Sequence, residues 1–235
     1  MCGLAVLTAV AQCDPPQVSV ASTAGSVCEG GSVTLQVSVS NASQNLPVPP
    51  VAVGDVLCSD NSIVKISSWP VAGKTAIGVV FYVDNTGEHG WAVNLQEQEA
   101  AWCTSYPYPD VQTMTNITNL YTAFNDFDGY GNTQKMRNAG TAATYPAAYA
   151  VNFAQGWYLP AIGQMNVLFA EYPRVNVSLQ AVGGTQLFSS SSILYAYWSS
   201  SEYSDYSALA IVKLGFIHPE GKGSQYEGVR GVKNF

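Results

Sequence analysis

The chain has 235 residues, 47% of them hydrophobic, and a mean hydropathy of +0.08, so it is long and apolar enough to bury a sizeable core. Only 11% of its residues are charged, and 9 Lys and Arg stand against 16 Asp and Glu for a net charge of −7. With no basic run to displace counterions from phosphates, a nucleic-acid partner is disfavoured, and solubility must come from Ser, Thr, Asn, Gln, Gly and the 14 Tyr, a surface common to secreted and wall-exposed proteins.

Residues 1–12 are mostly apolar and end near the small-x-small triplet Ala9-Val10-Ala11. Two readings fit them, the remnant of a secretory signal or an ordinary first strand. A lipoprotein reading would acylate Cys13, although Gln12 before it is bulkier than the small residues such sites prefer. No later segment reaches the ~18 apolar residues that a membrane span needs. Of the five cysteines, loss of a signal carrying Cys2 leaves Cys13, Cys28, Cys58 and Cys103. Local order suggests Cys13 with Cys28 and Cys58 with Cys103, one of three connectivities; separate buried thiols are the alternative. No Cys-x-x-Cys or Cys/His cluster points to zinc.

Residues 13–45 read as all-β. Val18 and Val20 alternate with Ser, a Cys28-Glu29-Gly30-Gly31 turn comes next, and Val33, Leu35, Val37 and Val39 alternate with polar residues. So few strands make a fragment of an Ig-like module, or a hairpin packed on the next domain of the chain. Leu46-Pro47-Val48-Pro49-Pro50 is a stiff extended connector, which places a domain boundary there and leaves 46–235 as the main domain.

In that domain, 77–83 reads as a buried strand, joined through Asp84-Asn85-Thr86-Gly87 to a partner at 90–95. Ile117, Leu120, Tyr121 and Phe124 predict a short helix over 115–124. Met165, Leu168 and Phe169 predict another over 164–171, with Pro160 before it and Pro173 after it. Strands are expected at 195–199, 208–214 and 229–235. The expected fold is an antiparallel α+β domain with two short helices and no βαβ alternation.

The series Gly54-Asp55-Val56-Leu57-Cys58-Ser59-Asp60, Gly87-Glu88-His89-Gly90-Trp91-Ala92-Val93, Asp126-Phe127-Asp128-Gly129, Gly156-Trp157-Tyr158-Leu159-Pro160, Tyr197-Trp198-Ser199-Ser200-Ser201-Glu202-Tyr203 and Val229-Arg230-Gly231-Val232 is distinctive in its order. Over about 53–235 it resembles the domain family named for the C-terminal part of the Legionella collagen-like adhesin, abundant in surface and pilus-tip proteins of gut Bacteroidetes. That resemblance implies a C-type-lectin-like fold, shared with the variable receptor proteins of diversity-generating retroelements. Read without the family, Trp157 and Trp198 are structural residues, and Arg230 is expected to pair with Glu202 or Asp55.

Catalytic chemistry finds little support. Asp126, Asp128 and Asn132 suit a calcium loop only in part, because Tyr130 and Arg137 stand where oxygens are needed; a turn stapled by side-chain hydrogen bonds is expected instead. The lectin sugar motifs Glu-Pro-Asn, Gln-Pro-Asp and Trp-Asn-Asp do not occur. His89 lies in a tight hairpin, His218 lacks a nucleophile near it in sequence, and Glu88 with Asp84 or Glu220 with Glu227 are scattered carboxylates. The chain is therefore read as non-enzymatic, with no cofactor.

A regular frame in the closing residues (Trp198, Ala208, Gly215, Lys222, Val229, Arg230, Phe235) carries an irregular set: Tyr203, Asp205, Tyr206, Ser207, Leu209, Ile217, His218, Glu220, Ser224, Gln225, Tyr226 and Glu227. Tyr and Ser mixtures make adaptable contact surfaces. In the diversified receptors that the family resemblance brings in, this stretch is the ligand-binding face. The expected function is a cell-surface adhesion module that offers this face to a protein ligand; the alternative for these positions is an unconstrained loop surface. A calcium-independent glycan module using Tyr106 and Tyr108, or a pilus-tip subunit using the 13–42 segment as an exchanged strand, are the alternative functions.

Overall fold

The computed structural model describes residues 18–22, 35–39, 50–108, 111, 117, 119–189, 192, 195–225 and 227–235. The chain divides into two units, Met1–Pro49 and Pro50–Phe235, at the proline-rich connector. In the first, β1 (Val18–Ser22) and β2 (Leu35–Val39) pair antiparallel, with Val18 opposite Val39 and Val20 opposite Val37. The period-two alternation read from the sequence is the pattern that such a pairing needs.

The second unit runs β3 (Val56–Cys58), β4 (Ile63–Val64), β5 (Ala76–Val83), β6 (Gly90–Asn94), β7 (Gln98–Glu99), α1 (Leu120–Ala123), α2 (Gly129–Ala139), α3 (Pro146–Tyr149), α4 (Ile162–Ala181), β8 (Ala196–Glu202), β9 (Ser207–Val212), β10 (Ile217–Gly221), β11 (Gly228–Val229) and β12 (Val232–Asn234). The strands form two sheets, in the orders β12-β6-β5-β3-β4 and β10-β9-β8-β11-β7. Pairings are antiparallel except β11 with β8. The architecture is α+β with antiparallel sheets.

Strand alternation decides which side chains meet. Trp198, Ala208, Ala210 and Val212 join Trp102, Met136, Tyr145 and Trp157 in one apolar cluster. Tyr197, Leu209 and Ile211 point the other way, into a second cluster with Val79, Phe81, Ile162, Met165 and Leu179. The β8–β9 pair is thus buried on both faces, and each fully buried large side chain there contributes about 1.5–3 kcal/mol. Trp157 and Trp198 are core residues, as their sequence context predicts.

Four expectations about helices and cysteines need correction. The described residues hold four α-helices rather than two short ones. The second expected helix extends over Ile162–Ala181 and continues through Pro173. Val175, Ser178 and Leu179 beyond the proline are buried on the same stripe as Met165 and Leu168, while Pro173 faces solvent, where water can satisfy the carbonyl the proline leaves unbonded. Of the first, the turn Leu120–Ala123 is helical among the described residues, capped by Asn119 Oδ1 accepting from Tyr121 N–H at 2.9 Å. Finally, Cys58 and Cys103 are separate buried thiols, not a bridge; burial raises the pKa of both, so they stay protonated and poorly nucleophilic.

The Asp126-Asp128-Asn132 series starts a helix. Asp128 caps α2 by accepting from Gly131 N–H at 2.9 Å. Asp126 accepts from Asn132 Nδ2 at 3.0 Å and from Ser201 Oγ at 2.5 Å, which staples this turn to β8. Ser201 Oγ in turn accepts from Ile162 N–H at the start of α4, 2.9 Å away. Arg230 is buried but donates to the carbonyls of Leu95 and Thr185. Its expected partners are engaged elsewhere, Asp55 with Lys65 at 2.7 Å and Glu202 with Lys222.

Tyr158 gives a pH prediction. Its hydroxyl donates to Asn234 Oδ1 at 2.6 Å and accepts from Gln164 Nε2 at 3.0 Å, and burial pushes its pKa up from 10.0 to about 12. The folded state therefore favours the neutral phenol, and this contribution is fully present below pH 10 and lost as pH rises toward 12. It is worth roughly 2–3 kcal/mol. Chemical denaturation between pH 9 and pH 12 should show stability falling across this window, and falling less steeply in Tyr158→Phe.

Candidate ligand-binding face

The β9–β10 hairpin carries most of the expected binding residues, and its register divides them. Ile217 stands opposite Ile211 and Pro219 opposite Leu209, so these point toward the second cluster; His218 and Glu220 stand opposite Ala210 and Ala208 on the other side. Leu209 is fully buried and is a core residue rather than a contact residue. Ile217 packs against the same cluster, half-buried. Glu227 is also buried, with Oε2 lacking a hydrogen-bond partner. His218 Nδ1 lies 3.7 Å from Glu220 Oε2, both half-buried. Tyr226 lies outside the described residues. The expected face is therefore not one continuous surface.

What remains exposed collects at one end of the hairpin. The turn between β8 and β9 carries Asp205 and Tyr206, both exposed, Tyr206 at 60%, whereas Tyr203 in the same turn is half-buried against the second cluster. Ser207, at the start of β9, is half-buried. The turn after β10 carries Ser224, half-buried, and Gln225, exposed. Lys222 N–H donates to the Tyr206 carbonyl at 3.0 Å and holds the two turns together.

A third segment joins them that sequence reasoning kept apart. A Cβ on Gly223 would lie 2.0 Å from Tyr108 Oη, so the Tyr106-Pro107-Tyr108 loop presses directly on this turn and a side chain there would displace the Tyr108 ring. Cys103 N–H donates to the Lys222 carbonyl at 3.0 Å. Tyr106, 77% exposed, meets Tyr108 edge-on at 5.5 Å. Tyr106, Tyr108, Asp205, Tyr206, Ser224 and Gln225 thus converge from three segments onto one end of the sheet.

Beneath them lies an ion pair. Lys222 Nζ and Glu202 Oε1 are in contact, both side chains wholly buried, at 0% exposure. The ammonium also donates to the Asp205 carbonyl at 3.0 Å and sits 4.9 Å from the centre of the Trp102 ring. The carboxylate accepts from Val111 N–H at 3.1 Å, and the Glu202 carbonyl accepts from Ile117 N–H at 2.9 Å. One buried pair thereby ties together the turn at 205, the turn at 222 and the backbone at Val111. Pairing and hydrogen bonding are what make two buried charges tolerable. The sequence held one hint of it, a lone Lys222 between two glycines in an otherwise regular frame.

No family model matches the chain, and no curated protein matches it. Among solved structures it is similar to a fimbrial protein from Bacteroides ovatus ATCC 8483, known from a crystal structure at 1.85 Å resolution, with a TM-score of 0.56 and 16% identity over 78% of this chain. The likeness is one of fold. This chain spans about half of that protein, 48% of its length.

The opposite end of the hairpin differs in chemistry. Leu214 and Phe216 are 54% and 67% exposed around Gly215, whose φ of +84° favours glycine and whose added Cβ would meet the Phe169 ring at 2.6 Å. Among the described residues, no three His, Cys, Asp or Glu side chains gather as a metal would need, and no helix is long and apolar enough to cross a membrane.

Proposed function

We propose that the chain is a non-catalytic ligand-binding module of a bacterial cell surface, and that its contact face is the Tyr106–Tyr108 loop with the turns at 203–206 and 222–225. The supporting observation is the convergence of these segments on the buried Lys222–Glu202 pair. Two exposed tyrosines, Ser224 and Gln225 stand on a backbone whose turns are already fixed. Rigid aromatic anchors beside adaptable polar groups bind well because little ordering remains to be done on contact. The fold likeness to a fimbrial protein, together with the ordered motifs that resemble C-type-lectin-like adhesin domains, supports a surface role; the Tyr- and Ser-bearing character of the face favours a protein ligand. On the same resemblance, the 203–227 stretch that supplies both turns of this face is a diversified receptor face.

The test is a screen of the full chain against host surface proteins and a glycan array, with and without a chelator. The expected result is a protein ligand bound in either condition. Tyr106→Ala with Tyr206→Ala should weaken that ligand by about tenfold or more, while unfolding shifts by no more than about 0.5 kcal/mol because both rings are exposed. Unchanged binding in the double variant would remove this face from consideration.

The fimbrial likeness and the β1–β2 pair also favour a second reading, a pilus-tip subunit that exchanges its N-terminal strands. Deleting residues 13–42 should then abolish incorporation into a polymer yet leave the tyrosine face binding as before. A glycan-only result, dependent on Tyr106, would favour a glycan-binding module instead.

A further inference from the structure

At the turn end of the β5–β6 hairpin, on the other sheet, Tyr82, Asp84, His89, Gly90, Trp91, Asn234 and Phe235 line an open cleft of about 310 Å³. Tyr82 stands opposite Trp91, and Trp91 opposite Asn234, so three neighbouring strands contribute one side chain each to a single row. Asp84 N–H donates to the His89 carbonyl at 2.8 Å, which sets these two residues in the next row on the same face. The rings form a continuous wall. Tyr82 stacks on Trp91 at 4.3 Å, and Phe127, 46% exposed, stacks on Trp91 at 5.9 Å.

The polar groups around this wall are fixed and of both kinds. Asn234 Oδ1 accepts from Tyr158, itself held by Gln164, which leaves the Asn234 amide N–H groups as donors. Asp84 accepts from the Thr86 hydroxyl at 2.6 Å and from the Thr86 and Gly87 N–H groups, all on Oδ1, which fixes the carboxylate at the rim of the cleft as an acceptor group. The Thr86 bond keeps the Asp84 carboxyl below its usual range, ionised at neutral pH. His89 is exposed and can donate or accept.

A ligand suited to this lining has apolar C–H faces for the rings and hydroxyls that both give and take hydrogen bonds. An anion would meet Asp84 on a chain of net charge −7, and a cation in an aromatic cage would have no use for the Asn234 donors. We propose that this cleft is a second binding site, separate from the tyrosine face, and that it takes a neutral pyranose ring of a glycan.

Saturation-transfer NMR of the full chain tests this directly, using methyl glycosides of glucose, galactose, mannose and N-acetylglucosamine at millimolar concentration as probes. At least one should receive transfer at its ring protons. His89→Ala with Asn234→Ala, both at exposed positions, should weaken that glycoside about tenfold while thermal unfolding confirms the fold. Tyr106→Ala with Tyr206→Ala should leave it untouched, which separates this site from the tyrosine face. Silence across all four glycosides, transfer that survives the His89 and Asn234 changes, or choline binding in place of the sugars would overturn the proposal.

Discussion

Lys222→Met should cost the main domain about 3–5 kcal/mol, because it strands the Glu202 carboxylate in a site with no solvent access. For a unit of this size that is a fall in midpoint temperature of roughly 10 °C. The loss should persist in high salt, since a wholly buried pair is little screened, whereas Lys74→Met, which breaks the exposed contact with Asp60, should cost far less and the difference should shrink further with salt. Adding Glu202→Leu to Lys222→Met should recover much of the stability, because the cost lies in the unpaired charge more than in the missing bond. The same single change should loosen the turn at 205 through the lost bond to its carbonyl, weakening the ligand of the tyrosine face even though Lys222 touches no solvent. Urea denaturation of the three variants, with a binding titration of each, measures both effects. A single variant as stable as the parent would show that the pair does not hold this end of the sheet.

The second large effect is expected at Trp102. Trp102→Ala removes a fully buried ring that meets Tyr145 edge-on at 5.8 Å and whose Nε1–H donates to the Ser199 carbonyl at 2.9 Å. Truncating such a ring costs about 3–5 kcal/mol. The indole also faces the Lys222 ammonium, so the two changes are coupled, and Trp102→Ala with Lys222→Met should destabilise by less than the sum of the separate effects. Trp102→Phe keeps most of the apolar volume but leaves the Ser199 carbonyl unbonded, and should cost about 1–3 kcal/mol. Additive behaviour in the double-variant cycle would mean that ring and ammonium do not sense each other.

Much of the main sheet is legible in the sequence because its residues speak locally. The run from Ile77 to Val83, the Asp84–Gly87 turn and the Trp91 strand state a hairpin in period-two alternation, and the prolines at 47, 49 and 50 coincide with the division between the two units. The full length of α4 is not legible, for a physical reason. Pro173 is a local stop signal, but its cost is overridden where Val175 and Leu179 continue a buried stripe and the proline itself faces water. The helix at Gly129–Ala139 is hidden by its composition, polar and glycine-bearing, and only the Asp128 cap marks its start.

By itself, then, the sequence determined what local chemistry can determine. These were the α+β class, the alternating strands, the structural tryptophans, and the Tyr- and Ser-rich character of the segments that reach the surface. Only the tertiary structure decided which of those residues face out together. Leu209 and Asp205 are neighbours in sequence, yet strand register sends one to the core and a turn sends the other to solvent. Tyr106 and Tyr206 are far apart in sequence, yet Tyr108 seated on Gly223 and the Lys222–Glu202 pair bring their loops to one end of the sheet. A binding face is a property of long-range packing, and no window of sequence contains the contact that forms it.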